Sequence, residues 1–178
     1  MPLLLAALCA LLLLSPAPEM FQRFETPYPA QQDPGGRQPG EKAASRLETE
    51  IFDLVNRERR QRGLKELKWD PTLAEVAREH SRAMLEEGFF SHSGPAGTTP
   101  AERVSRVHER EVLLVAENLW SGTNVPRREV AAQAVEGWLD SQGHRKNMFL
   151  AGARFMGVGT FSNELECRVT VLFADLSE

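Results

Sequence analysis

With 178 residues, 42% of them apolar and 26% charged, the chain has the size and balance of one globular domain with room for a tail. Its net charge of −4 argues against a general nucleic-acid binder, which needs a basic face or stripe. Two cysteines leave little scope for a disulfide framework.

In chain order, Pro2 to Pro18 carries no charged side chain and holds an apolar run from Leu3 to Leu14. The run is too short to span a bilayer and fits the apolar region of a secretory signal over residues 1–18, although the usual basic start is missing. Ala6, Ala7 and the bulky Leu8 before Cys9 speak against a lipoprotein signal. Cleavage would remove Cys9 and leave Cys167 as a single, buried and inert thiol. Residues 19–45, with Pro27, Pro29, Pro34, Pro39 and the Gly35-Gly36 pair, read as a disordered linker.

Leu47, Ile51, Leu54 and Val55 then mark an amphipathic helix that runs to about Arg62 and stops at Gly63. Arg57, Arg59, Arg60 and Arg62, interleaved with Glu58, read as its solvated end. Asp70-Pro71 opens a second helix as N-cap and first residue, with Leu73, Val76, Ala77, His80 and Met84 inward and Gly88 closing it. His80 on that apolar stripe is expected to be a hydrogen-bonded core histidine.

The loop Phe89–Pro95 leaves His92 accessible between Ser91 and Ser93. Thr99-Pro100-Ala101-Glu102 is a capping box that starts a short helix through about Val107. His108-Glu109 begins a zinc-protease helix pattern, but its second histidine would fall at Val112, so that reading fails. No Gly-x-Ser-x-Gly pattern occurs either.

Val112 to Ala116 reads as a buried strand ending in Glu117-Asn118. A carboxylate in that place is either an exposed turn residue or one that needs a partner. Val130, Ala134, Val135, Trp138 and Leu139 form the inner stripe of a further helix, which Gly143 is expected to end, leaving His144 just beyond a rigid element. Arg154 to Phe161 is a strand whose Gly157 and Gly159 invite close approach of backbone or ligand. Asn163-Glu164 makes a turn into a strand from Glu166 to Ala174, where Cys167, Val169, Val171 and Phe173 alternate with the other face. Helices first and paired strands last imply an α+β fold with helices packed on an antiparallel sheet.

Asn56-Arg57-Glu58-Arg59, Leu67-Lys68-Trp69-Asp70, Phe90-Ser91-His92-Ser93, Ala116-Glu117-Asn118-Leu119, Trp138 with Ser141 through Asn147, and Gly157-Val158-Gly159 together resemble the CAP superfamily. This is the group of cysteine-rich secretory, antigen 5 and pathogenesis-related proteins, also called SCP domains. Order and spacing agree from about Leu47 to Asp175, and the Ser-x-Gly-His-Arg-x-Asn variant with few cysteines resembles the bacterial branch.

The resemblance implies a secreted protein with a three-layer α-β-α sandwich over residues 46–176, its small central antiparallel sheet flanked by helices. It also implies a cleft lined by two histidines and two acidic residues. His92, Glu117 and His144 match three of them; the fourth falls at Ser141, with Asp140 beside it and Glu136 just before. Some members bind divalent metals such as Zn2+, with His92, His144 and Glu117 as the matching ligands here; others bind sterols or lipids, and no general enzymatic activity is established.

The function expected is therefore an extracellular binding module with a metal-capable cleft. A metal-dependent hydrolase using the same cleft and a lipid- or sterol-binding protein are the alternatives. The expected partner is an extracellular ligand, lipid or protein, with no nucleic acid and no transmembrane span, and the chain is expected to be a monomer.

Overall fold

Helix α1 (Arg46–Gln61) starts where the Ser45 hydroxyl accepts the Glu48 N–H and the Glu48 carboxylate accepts the Ser45 N–H in return. The computed structural model describes residues 44–178, so the signal segment 1–18 and all but the end of the 19–45 linker lie outside the described residues. Asp70 caps α2 (Pro71–Glu86) by accepting the Leu73 N–H, and Thr99 with Glu102 caps α3 (Pro100–Ser105). Gly63 and Gly88 take positive φ just past the ends of α1 and α2, as their place in the sequence demands.

Four strands make one sheet: β1 (Lys68–Trp69), β2 (Val112–Thr123), β3 (Phe155–Ser162) and β4 (Glu166–Leu176), in the order β1-β3-β4-β2. The β2–β4 and β3–β4 pairs are antiparallel. The sheet is nevertheless mixed, because the two-residue β1 runs parallel to β3 at its edge. A strand too short to show a period-two pattern is hidden in the sequence.

Strand β4 is buried on both faces and divides two cores. On one face Val169, Val171 and Phe173 pack with Ile51 and Val55 of α1, with Val135 and Trp138 of α4 (Arg127–Asp140), and with Met148 of α5 (Gln142–Met148). On the other, Leu172, Ala174 and Leu176 meet Leu73, Val76 and Ala77 of α2 and Val104 of α3. This is the α-β-α sandwich. Cys167 lies in the first core as a free thiol, and burial pushes its pKa up to about 11.

Three local expectations change. Gly143 does not stop a helix: Ser141, extended at φ −88° and ψ 119°, ends α4 and begins α5, so Gly143 and His144 sit in the first turn of a new helix. Arg59 is not solvated but 1% exposed, donating to the carbonyls of Lys65, Met148 and Leu150. Met148 and Leu150 lie where α5 ends, and three carbonyl acceptors make a buried cation tolerable there. Strand β2 continues past Ala116 to Thr123, because β4 supplies partners as far as Glu166 opposite Thr123.

As an outer strand of the sheet, β2 presents unpaired backbone groups. The carbonyls of Glu117 and Leu119, two residues apart and so on the same side, are taken by the Asn147 side chain at 3.1 Å and by Trp138 Nε1 at 2.8 Å. Side chains of α5 and α4 thus cover this edge where the candidate site begins.

Candidate functional site

Strand β2 sets the site, since adjacent residues of a strand point to opposite faces. Glu117 points toward the α2 and α3 layer, and Asn118 toward α5. The Glu117 side chain is only 2% exposed, mid-strand and partnered, so the exposed-turn alternative does not hold. Its Oε1 accepts from His92 Nδ1 at 2.8 Å, and its Oε2 accepts from the Arg103 guanidinium at 2.5 Å. Arg103 also donates to the carbonyls of His92 and Thr98, each at 2.9 Å, and so knits the loop that carries His92.

From the other face, Asn118 Nδ2 donates to the backbone carbonyl of His144 at 3.0 Å, while Asn147 Nδ2 donates to Asn118 Oδ1 at 3.0 Å. His144 is thereby fixed on α5 through its own backbone. The two histidines arrive from separate elements, one held by the Glu117 side chain and the other by that of its neighbour.

The hydrogen bond to Glu117 raises the pKa of His92, outweighing the burial that opposes it. For His144 the shift is downward, through burial first and the positive charge of His92 second, so the two rings sense one another. His92 stays accessible, with its side chain 54% exposed. When His92 is neutral and donates from Nδ1, its Nε2 is left with a lone pair; the carboxylate sets this tautomer.

His80 lies behind the site. It is buried, with Nε2 against the Ser91 carbonyl at 2.9 Å and Nδ1 without a partner among the described residues. Burial lowers its pKa, with smaller influences from Glu117, Arg103 and His92. His80→Ala should therefore cost on the order of 2–4 kcal/mol in chemical denaturation, by cavity and lost hydrogen bond. A protonation site depressed in the folded state loses stability as pH falls below the unfolded value of about 6.5. The wild type should show that loss and the variant should not; an identical pH slope in both would remove His80 from this role.

Of the remaining candidates, Glu136 and Asp140 are exposed on α4, and Ser141 is the joint between α4 and α5. Among the described residues no hydrogen bond joins their side chains to His92, Glu117 or His144. Arg103, Asn118 and Asn147 had no role assigned from the sequence. Asn118 and Asn147 stand inside the motifs that carry the resemblance, but Arg103 had only its place after a capping-box glutamate as a signal.

The model of the cysteine-rich secretory protein family matches residues 52–173. The chain belongs to the CAP family. An extracellular protein from Bacillus anthracis str. Ames that contains an SCP domain is similar in structure, with a TM-score of 0.62 and 34% identity over 72% of this chain and 40% of that one. Bacillus subtilis (strain 168) has two similar proteins: YkwD, 31% identical over 66% of this chain and 43% of its own length, and the membrane protein YlbC, 36% identical over 63% and 31%. This CAP chain thus spans less than half the length of those relatives. Among its described residues no helix is long and apolar enough to cross a membrane.

Among the described residues no three His, Cys, Asp or Glu side chains gather closely enough to hold an ion. Both oxygens of Glu117 are engaged, so as placed it stands behind His92 and orients it. Nε2 of His92 is free of Glu117, and burial lowers the pKa of His144.

Proposed function

We propose that this CAP domain is an extracellular binding module whose cleft holds a divalent cation of the zinc type between His92 and His144. The observation that carries the reading is the His92–Glu117 hydrogen bond, because a carboxylate behind an imidazole is how proteins orient a metal-binding histidine. A bound ion would supply a Lewis-acid point for an oxygen- or nitrogen-bearing extracellular ligand. Secretion is supported by the apolar segment 1–18 and by the extracellular Bacillus anthracis relative.

Zn2+ should bind the folded protein in calorimetric titration, and His92→Ala and His144→Ala should each weaken binding strongly while circular dichroism stays unchanged. Protons compete with metal for imidazole, so affinity should fall as the solution is acidified. Because Glu117 raises the pKa of His92, that fall should begin above the ordinary histidine value of about 6.5. Equal Zn2+ binding by wild type and the His92→Ala/His144→Ala double variant would sink the reading. A panel of hydrolase substrates with and without chelator separates a binding module from a metal-dependent hydrolase.

A further inference from the structure

A cationic surface lies where the end of α1 meets the end of α5. Residues 57–66 expose Arg57, Arg60, Arg62 and Lys65 with only Glu58 and Glu66 against them, and α5 adds the exposed Arg145 and Lys146. No acidic residue occurs from Ser141 to Asn163. Two contacts join the segments: the buried Arg59 donates to the Met148 carbonyl at 2.7 Å, and the Arg62 guanidinium lies 4.3 Å from the centre of the Phe149 ring. Phe149 N–H in turn donates to the Arg145 carbonyl at 3.2 Å, so the α5 cations stand about one helical turn from that ring.

Local acids do not cancel this charge. Glu58 pairs with Arg62 at 2.7 Å and Glu66 with Arg60 at 2.8 Å, whereas Arg57, Lys65, Arg145 and Lys146 make no ion pair among the described residues. The flanking exposed acids, Asp53 one turn before Arg57 and Asp140 just before α5, make none with them either. Six exposed cations against two acids are thus gathered at one end of a chain whose net charge is −4.

We propose that this end of the domain docks on the face of an anionic lipid bilayer. It stands apart from the proposed metal reading. Spread over the ends of two helices, the cations do not converge on one small anion, but an extended anionic surface engages all of them at once. Each Lys or Arg near such a surface strengthens binding on the order of fivefold. Leu64, Phe149 and Leu150 are half-buried among the cations, an apolar body beneath charged tips that suits the boundary between water and lipid. A soluble polyanion would leave those apolar side chains unused. The rest of the chain carries net negative charge and is repelled by the same surface, so the patch also sets the orientation of the docked domain.

Sedimentation of the full chain with phosphatidylcholine vesicles, with and without phosphatidylglycerol, tests this. The apolar segment 1–18 would attach to either kind of vesicle, so the reading is the ratio between the two. Wild type should prefer the anionic vesicles on the order of a hundredfold at low salt, and the preference should shrink as added salt shortens the screening length below about 10 Å. Arg57→Glu/Lys65→Glu/Lys146→Glu should lose nearly all of it with an unchanged circular dichroism spectrum. Arg82→Glu/Arg106→Glu/Arg128→Glu makes the same change in net charge at exposed positions of other segments and should keep it. If the first variant folds poorly, Arg57→Gln/Lys65→Gln/Lys146→Gln should still lower the preference on the order of tenfold or more.

Equal binding of wild type to both vesicles overturns the proposal. So does an equal loss in the two charge-reversed variants, which would make net charge alone responsible. Binding of inorganic polyphosphate without any preference for anionic vesicles would identify a soluble polyanion as the partner and overturn the lipid assignment.

Discussion

Gly159→Ala should lower the stability of the domain by about 3 kcal/mol or more, although it adds only one methyl group. A Cβ at Gly159 would stand 2.0 Å from the Arg78 nitrogen and 2.2 Å from the Ala77 carbonyl carbon, both backbone atoms of α2. Gly157 is in the same position one turn back, with Ala74 N and Leu73 C each at 2.3 Å. Helix α2 therefore lies directly on β3, backbone against backbone. Side chains could rotate away from a methyl group; a helix must lift as a whole. Lifting it would draw Leu73 and Ala77 out of the second core and stretch the bond from the Ser81 hydroxyl to the Gly159 carbonyl, now 3.0 Å. Urea denaturation of Gly159→Ala checks this, and a loss below about 0.5 kcal/mol would mean that α2 can shift at little cost.

Removing the Trp138 side chain should have an effect of similar size by the opposite route, a void in place of a clash. Trp138 is 1% exposed in the core shared by α1, α4 and the sheet, so Trp138→Ala should cost about 3–5 kcal/mol. The indole also donates to the Leu119 carbonyl on the outer strand β2. Trp138→Phe fills much of the volume but leaves that carbonyl bare, and should cost about 1–3 kcal/mol. The difference between the two variants separates packing from hydrogen bonding. A loss well under 1 kcal/mol for Trp138→Ala would show that the site collapses around the missing ring or that the indole is not held in the core.

Much of this architecture was legible locally. The caps at Asp70 and Thr99, the stops at Gly63 and Gly88, and the alternation along Cys167–Phe173 depend on residues within a few positions of one another. Such signals survive in a bare sequence because their partners are close along the chain. The glycines of β3 announced a close approach, and α2 makes it. Where the deciding partner was distant, the reading failed or stayed open. Gly143 looked like a helix end because the extended Ser141 leaves no compositional mark. Arg59 looked solvated because the carbonyls it binds at Met148 and Leu150 lie some ninety residues away, at separations of 89 and 91.

The same division runs through the site. The sequence by itself determined the family pattern and thereby the identities of His92, Glu117 and His144, since the ordered motifs that carry them are local strings. Only the tertiary structure decided what Glu117 does. Its partners come from positions 25 and 14 residues away, and their meeting depends on β2 carrying the carboxylate beneath the loop before α3. Whether a glutamate serves as a ligand, a hydrogen-bond acceptor or a turn residue is settled by which charges fold against it. In this chain that charge is Arg103, and electrostatic energy at contact distance is a property of space rather than of sequence separation.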